Sequence, residues 1–228
     1  MTRSGKSAPS MTKDMVEELR RGVTIGSFVL HAKQVFPGRS VEEVNLGISL
    51  RRGAHEADLL SIKVFFGRKP YLRSWVEFFN IQDEILPGTD GFHYFGSVIE
   101  DKLLRSFSDQ IEPGGKIFVE YYNDAETAYG LKSGFPPHTT RLGFMLLEMG
   151  FTWFKDWYFP EGFMEGGQKL QGEKPLTGEM KMRHLERVLD EINDFIEKNA
   201  RVPTATTSYE RNAVERAMKS LGAIRGHH

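Results

Sequence analysis

The stretch Val44-Asn45-Leu46-Gly47-Ile48-Ser49-Leu50 decides the fold class, because apolar residues occupy every second position. A period of two predicts a strand with one buried face and one solvated face. The same alternation recurs at residues 60–66 and, with aromatic side chains, at 75–81. Short polar connections, Arg51–Asp58 and Gly67–Pro70, separate the three segments. We therefore expect an antiparallel meander of three strands.

Helical signals lie on both sides of this meander, and the first is the helical spacing of apolar residues within Met11–Leu19. Ser97 and Glu100 form a capping box around the start of the apolar stripe within 98–107, and this combination predicts a helix. The sequence Glu112-Pro113-Gly114-Gly115 is typical of a turn, and the residues at 117–122 predict a strand after it. A helix is thus expected to connect the meander to its next strand.

A second helix and a hairpin follow. Thr139 or Thr140 is suited to cap a helix whose apolar stripe spans 142–149. Residues 152–159 form an aromatic strand pattern, with 168–173 as the expected hairpin partner across a glycine-rich connection. The chain is therefore expected to return to the sheet after this helix.

The C-terminal part carries two helical patterns. Apolar residues between 185 and 196 recur at helical spacing. A capping box at Thr207 and Glu210 opens a second amphipathic segment, for which Gly222 is the expected end. We expect this helical pair either to cover the sheet or to join copies of the chain as a homo-oligomer.

The predicted element order is helix, three strands, helix, strand, helix, two strands and two helices. This order differs from the regular alternation of a doubly wound parallel sheet. We expect an α/β fold of the α+β type, with a mostly antiparallel central sheet, flanking helices and the C-terminal helical pair. The expected divisions are 1–22 for an N-terminal tail and helix, 23–176 for the α/β core and 177–228 for the helical extension.

Composition excludes several classes of protein. Charged residues make up 27% and hydrophobic residues 39% of the 228 residues, which is typical of a globular protein and too apolar for a disordered one. The chain has no cysteine, so it has neither disulfides nor a thiolate metal site, and we expect it in the cytoplasm. No apolar run is long enough to span a bilayer, and a net charge of −1 argues against a membrane surface or nucleic acid as partner.

The segment Asn123–Tyr129, followed by Lys132 and by Gly134-Phe135, is similar to a motif of the GNAT-type acyl-CoA N-acyltransferases. The element order of residues 40–175 also resembles the core of that family, in which a meander leads through a helix to a strand, a second helix and a final hairpin. The resemblance implies acetyl-CoA or another acyl-CoA as co-substrate, a small-molecule or peptide amine as acceptor, and no metal. It also implies that Tyr129 is the general acid toward the CoA thiolate, although Tyr129 lies one residue before the common spacing.

The family binds the CoA pyrophosphate on backbone amides at the start of its first core helix, where the helix dipole favours an anion. The matching stretch in this sequence is rich in aromatic residues and ends at the predicted capping box. Together with Asn123, its residues are the implied cofactor-binding set: Phe92, His93, Tyr94, Phe95, Gly96 and Ser97. The alternative is an aromatic loop that fills the core.

A glutamate on the fourth strand often serves the family as general base, directly or through water. Glu77 lies among large apolar residues, and a desolvated carboxylate there would deprotonate an amine more readily. Glu120 has the same character. The alternative for both residues is an outward position in solvent.

Two further patterns have competing explanations. The sequence His55-Glu56-Ala57-Asp58 carries metal-binding side chains, but its spacing and its expected position in a hairpin turn favour solvated residues over ligands. The aromatic segment 152–163 is suited to line a ligand cleft, to form an oligomer interface or to pack in the core.

Two other functions compete with acyl transfer. Pro113-Gly114-Gly115 before a strand and Gly150-Phe151 after a helix resemble late elements of class I methyltransferases, so an S-adenosylmethionine-dependent activity is the second hypothesis. The absence of an early G-x-G-x-G sequence weakens it. The third hypothesis is a non-catalytic binding or assembly protein whose C-terminal helices dock a partner.

As a whole, and most clearly at Gly150–Pro175, the chain resembles a conserved archaeal and bacterial family classed only as a domain of unknown function, family 1122. That family carries no established activity. The resemblance therefore implies nothing about mechanism.

Overall fold

The computed structural model describes the chain in separate stretches. They are 18–25, 28–37, 43–65, 75–79, 103–109, 111–121, 124–158, 168–199 and 207–225. The predicted N-terminal tail and the capping box at Ser97 and Glu100 lie outside them.

One eight-stranded sheet organises the described chain, and its strands follow the order β1-β2-β3-β4-β5-β6-β8-β7. Neighbouring strands are antiparallel, except for β5 and β6, which run parallel. The strands are β1 (Val23–Ile25), β2 (Phe28–Pro37), β3 (Glu43–Arg52), β4 (His55–Phe65), β5 (Trp75–Phe79), β6 (Lys116–Glu120), β7 (Trp153–Tyr158) and β8 (Gln168–Glu173). The α+β class, the mostly antiparallel sheet and the β7–β8 hairpin are therefore confirmed.

Strands β1 and β2 precede the predicted meander and were missing from it. Within β2 the register with β3 shifts between Ala32 and Gln34. Leu30 and Ala32 are buried, whereas after the shift Val35 pairs with Leu46. Because one extra residue moves the inward positions by one, a strict period of two fails to detect this strand.

The connection between β3 and β4 is a tight turn at Gly53 and Ala54, and Gly53 has a φ of 60°. This positive φ suits glycine in a short hairpin. The expectation that His55–Asp58 lie in the turn is wrong, because these residues form the start of β4. There, Glu56 accepts a hydrogen bond of 2.6 Å from Ser49 on β3, so its carboxylate holds the hairpin together.

A helical turn at 18–21 precedes β1, and a helical segment at 103–108 precedes β6. The longer helices are α1 (Ala125–Lys132), α2 (Arg141–Glu148), α3 (Gly178–Asn199) and α4 (Ser208–Arg225), with a 3-10 turn (Pro137–Thr139) between α1 and α2. The helix predicted at 142–149 is confirmed as α2. The buried positions of α1 are Thr127 and Gly130, which give no apolar stripe, so periodicity misses this helix.

The start of α2 is fixed by two residues. Thr140 is its cap, because the Thr140 hydroxyl accepts a hydrogen bond from the amide of Gly143. A Cβ atom at Gly143 would lie only 1.9 Å from the carbonyl oxygen of Pro137. Glycine therefore lets α2 begin directly against the 3-10 turn.

The helices on either side of β6 pack against one face of the sheet. Their main core joins the 103–108 segment and α2 to strands β4, β6 and β8 through buried apolar side chains: Leu104, Phe107, Leu142, Leu146, Ile62, Ile117, Val119 and Leu170. Helices α3 and α4 form a second core, against which Phe135 and Leu147 pack. The C-terminal pair therefore covers the sheet indirectly, through the layer formed by α1 and α2.

The capping box of α4 is confirmed. Glu210 accepts a hydrogen bond of 2.7 Å from the amide of Thr207, and its own amide donates to the Thr207 hydroxyl. The predicted end at Gly222 is wrong, because the helix continues to Arg225. A single glycine weakens a helix without ending it when packing holds the next turn, and Ile224 is buried in the second core.

Candidate functional site

The pairing of the parallel strands β5 and β6 extends almost to their carboxyl ends. Their register ends at the pair Phe78 and Val119. Beyond it, Phe79 pairs with Ser61 on the β4 side, and Glu120 pairs on the β8 side. The carboxyl ends of adjacent parallel strands are a common place for ligands, because the chain segments that leave them meet at one edge of the sheet.

The predicted cofactor-binding residues follow β5 and β6 in the sequence. The chain that follows β5 contains residues 92–97, and the chain that follows β6 contains Asn123. Residues 92–97 and Asn123 themselves lie outside the described residues. The assignment of these residues to pyrophosphate binding stays a prediction.

Glu77 lies at the middle of β5, and the strand register defines its neighbours. It pairs with Lys63 on β4 and with Phe118 on β6, two residues whose side chains are partly exposed. The adjacent positions Ile62 and Ile117 are buried under the helices. Position 77 therefore lies on the face of the sheet opposite the helices. The side chain of Glu77 itself is outside the described part of the structure.

This row continues across the sheet. Phe118 pairs with Gln171 on β8, which pairs with Lys155 on β7. We call the row formed by Lys63, Glu77, Phe118, Gln171 and Lys155 the outer row. Its members come from five strands and from sequence positions that no local motif links.

Trp157 contacts the two residues at one end of the outer row, Gln171 and Lys155. Its indole nitrogen donates a hydrogen bond of 2.7 Å to the side-chain oxygen of Gln171. The ammonium group of Lys155 lies 3.6 Å from the centre of the Trp157 ring, a cation–π contact. Gln171 is 3% exposed. On the opposite face of β7, Phe154 is buried in the main core, so this aromatic strand serves both faces of the sheet.

Tyr129, the predicted general acid, lies on α1 and contacts α4. Its hydroxyl donates a hydrogen bond of 3.1 Å to the Glu210 carboxylate. Its ring centre is 5.5 Å from that of Tyr209 and 6.0 Å from that of Phe135. Among the contacts described, none brings Tyr129 to the outer row.

The start of α1 is held by ion pairs. Asp124 caps the helix by accepting from Thr127 and forms an ion pair of 2.8 Å with Arg141 on α2. Arg216 on α4 pairs with Glu126 and donates a hydrogen bond of 3.0 Å to a backbone carbonyl of the 3-10 turn. Helix α4 is thus fastened to the segment that directly follows β6.

His138 is a buried histidine that sequence reasoning missed. It is 1% exposed, its Nδ1 atom is 3.6 Å from a carboxylate oxygen of Glu191 on α3, and its Nε2 atom has no hydrogen-bond partner among the described residues. Burial, and secondarily the charge of Arg187, lowers the pKa of His138 to about 4. A lone histidine without spaced partners gives no signal in the sequence.

Lys174 fastens the connection that leads into β6. Its ammonium group donates to the carbonyl oxygens of Ser108 at 2.5 Å and Ile111 at 3.1 Å. Burial lowers the pKa of Lys174, while the charges of Asp109 and Glu112 act in the opposite direction. Because both acceptors are carbonyls at the end of a helical segment, this contact is structural.

The described residues contain no group of three or more His, Cys, Asp or Glu side chains that could hold a metal ion. Within the same part of the chain, none of the helices has the length and hydropathy needed to cross a bilayer.

The arrangement therefore combines two features. One edge of the sheet holds the carboxyl ends of the adjacent parallel strands β5 and β6. The face opposite the described helices carries the outer row, which crosses β5 and β6. Neither feature forms a complete site by itself, and both features include strands β5 and β6.

Three comparisons place the chain among known proteins. A family model described as "Protein of unknown function (DUF1122)" matches residues 26–199. The crystal structure of a protein of unknown function from Aquifex aeolicus VF5 is similar, with 36% identity, a TM-score of 0.75 and coverage of 94% of this chain and 98% of that chain. None of the curated proteins matches the chain. The acyltransferase resemblance finds no support among these matches, whereas the predicted membership is confirmed: the chain belongs to this family of proteins of unknown function.

Proposed function

We propose that the chain is an acyl-CoA-dependent N-acyltransferase that acts at the carboxyl ends of β5 and β6. The observation that carries the proposal is the strand arrangement. A meander leads through a helical segment to a strand that runs parallel to the last strand of the meander. This arrangement agrees with the core expected from the resemblance to the GNAT-type enzymes.

Different residues would bind the acyl-CoA and accept the proton of the amine. Residues 92–97 and Asn123 would hold the pyrophosphate of acetyl-CoA or another acyl-CoA through backbone amides and the dipole of the following helix. The acceptor amine would transfer a proton to Glu77 and attack the thioester carbonyl carbon. The C–S bond then breaks, the acyl group stays on the amine, and CoA leaves as a thiolate that takes up a proton.

The proton donor to that thiolate would be Tyr129. Tyr129 keeps this assignment from the motif, but its hydroxyl is engaged with Glu210. To protonate a thiolate, Tyr129 would have to leave Glu210. Loss of turnover on Tyr129→Phe without loss of acyl-CoA affinity would support the assignment, and unchanged turnover would remove it.

The methyltransferase hypothesis has less support from the fold. Class I methyltransferases bind their cofactor above a mainly parallel sheet, whereas β5–β6 is the one parallel pair among the described strands.

The assembly hypothesis concerns α3 and α4. Their inner surfaces are buried against each other and against α1–α2, so the outer faces are left for a homo-oligomer. We retain the cytoplasm as the expected compartment, and small-molecule or peptide amines as acceptors.

The proposal is tested first by calorimetric titration of the full chain with acetyl-CoA, CoA and S-adenosylmethionine, and then by release of free CoA thiol in the presence of amines. Saturable binding of acetyl-CoA with amine-dependent thiol release is the expected result. Absence of acetyl-CoA binding, or binding of S-adenosylmethionine alone, would refute acyl transfer.

Glu77→Gln should lower turnover roughly 100-fold while acetyl-CoA affinity stays close to that of the parent protein, because loss of a general base slows the chemical step. Glu173→Gln is a matched control, since Glu173 is a strand glutamate that pairs with Lys116 at 3.3 Å near the other end of β6. Turnover that falls equally in the two variants would exclude Glu77 as the base.

A further inference from the structure

We infer that the first turn of α4 is an autoinhibitory clasp that holds the hydroxyl of Tyr129. The clasp consists of Thr207, Tyr209 and Glu210, and it closes on Tyr129 of α1. This inference rests on the proposed acyl transfer and adds a means of regulating the same site. It follows from the contacts of the first turn and from the separate contacts that hold the rest of the helix.

Two contacts join the clasp to Tyr129. The Tyr129 hydroxyl donates a hydrogen bond of 3.1 Å to one carboxylate oxygen of Glu210. The ring of Tyr209 lies beside that of Tyr129, with the two centres 5.5 Å apart. A hydrogen bond to a carboxylate is charge-assisted and is therefore stronger than a neutral one. The hydroxyl has a single proton, so a proton that is donated to Glu210 is not available to a departing thiolate.

Glu210 also fixes the start of its own helix. Its second carboxylate oxygen accepts a hydrogen bond of 2.7 Å from the amide of Thr207. The two oxygens of one carboxylate thus serve the capping box and the contact with Tyr129 at the same time. Because this carboxylate belongs to the first turn, a movement of that turn breaks the contact with Tyr129.

The first turn of α4 is less deeply buried than the turns that follow it. Thr207 is exposed, and Tyr209 and Glu210 are partly exposed. The first buried residue of the helix is Ala213, which is 2% exposed and belongs to the second core. Helix ends with few buried contacts open locally at a low cost in free energy. The clasp can therefore open without disturbing the second core.

Other contacts keep the remainder of α4 in place when the clasp opens. Arg216 pairs with Glu126 at the start of α1 and donates a hydrogen bond of 3.0 Å to the carbonyl oxygen of Thr139. Ala217 is fully buried in the second core. Release of Tyr129 therefore requires a movement of the first turn alone, while the helix stays attached to α1.

Opening of the clasp changes what the Tyr129 hydroxyl can do. In the open state the hydroxyl gives its proton to the CoA thiolate, and the tyrosinate that remains takes up a proton from water. Turnover is then proportional to the fraction of molecules in which the clasp is open. A substitution that weakens the closed state raises turnover, whereas replacement of a catalytic residue lowers turnover.

The test is the substitution Glu210→Gln in the full chain. A carboxamide keeps the size of the side chain but accepts a weaker hydrogen bond than a carboxylate, so we expect kcat to rise about fivefold. The readout is release of CoA thiol from acetyl-CoA with phenethylamine, spermidine and Nα-acetyl-lysine as acceptors. Damage to the fold lowers kcat, so it cannot produce this increase.

Glu215→Gln is the matched control, because Glu215 is an exposed glutamate on the same helix. It removes the same charge without touching Tyr129 and should leave kcat unchanged. The second control is the Tyr129→Phe background, in which the hydroxyl that Glu210 holds is absent. There, Glu210→Gln should leave the residual kcat unchanged. An increase of equal size with and without the Tyr129 hydroxyl would overturn the clasp.

The outcomes separate the two proposals. Amine-dependent turnover of the parent protein, with a kcat of Glu210→Gln that is equal or lower, would overturn the clasp and leave acyl transfer standing. Turnover in neither protein would also overturn the clasp, because the variant is expected to release Tyr129. If calorimetric titration shows that neither protein binds acetyl-CoA, acyl transfer itself is refuted, and the clasp with it.

Discussion

The burial of the His138 side chain is expected to affect the stability of the protein. His138 lies in the 3-10 turn and faces Glu191 on α3, with a ring centre 6.4 Å from that of Phe154. Burial holds the pKa of His138 at about 4, below the usual value of 6.5 for a histidine. The folded protein therefore keeps His138 neutral under conditions in which an unfolded chain binds a proton there.

The sign of the pH effect follows from this lowered pKa. The stabilising contribution of neutral His138 is complete above pH 6.5 and is lost as pH falls toward 4. Its size is about 3 kcal/mol, because each pKa unit corresponds to about 1.4 kcal/mol. Urea unfolding at pH 7 and pH 4 should show that His138→Gln, which cannot titrate, loses less stability on acidification than the parent protein.

Glu191 must be considered in the same experiment, since burial raises the pKa of its carboxyl and acts in the opposite direction on acidification. Comparison of the parent and His138→Gln at each pH largely removes that contribution, because both proteins contain Glu191. An equal loss of stability in the two proteins would contradict the assignment of the acid sensitivity to His138.

At the level of elements, α4 is fastened to α1 by charge as well as by apolar contact. The Arg216 side chain is 14% exposed and that of its partner Glu126 is 18% exposed. Removal of one member of such a pair leaves the other desolvated without compensation, which costs more than the pair itself contributes. The cost should appear in α4 and at the start of α1.

Arg216→Met should therefore lower the free energy of unfolding by about 2 kcal/mol. Arg211→Met is the control, since Arg211 is exposed on the same helix. Urea unfolding gives the free energies, and amide hydrogen exchange should locate the faster exchange in α4. Equal effects of the two substitutions would show that the Arg216–Glu126 pair does not hold the helix.

The elements also show what the sequence could predict. The meander, the Thr140 cap and the β7–β8 hairpin follow from local periodicity and turn chemistry, which act over a few residues. Strand β2 was not predicted, because a bulge between Ala32 and Gln34 changes the phase of its alternation of inward and outward residues. The outer row could not be predicted from the sequence for a different reason. Its members are brought together by the register across five strands and not by their spacing along the chain.

At the scale of the whole molecule, α4 extends the fold beyond the matched family region. The family model ends at residue 199, whereas the structural likeness covers 94% of the chain. Ala217 on α4 is fully buried in the second core, and its neighbour Met218 is 62% exposed. The helix is therefore expected to unfold together with the rest of the molecule.

Ala217→Lys tests this expectation, because it places a charge at a fully buried position of the second core. We expect a loss of about 3 kcal/mol in a single cooperative transition, with Met218→Lys close to the parent protein. Circular dichroism and tryptophan fluorescence should follow the same curve, since Trp157 reports on the sheet and the helices dominate the dichroism. Two separate transitions would mean that α4 is an independent appendage, and the Tyr129–Glu210 contact would then be a reversible one that releases Tyr129.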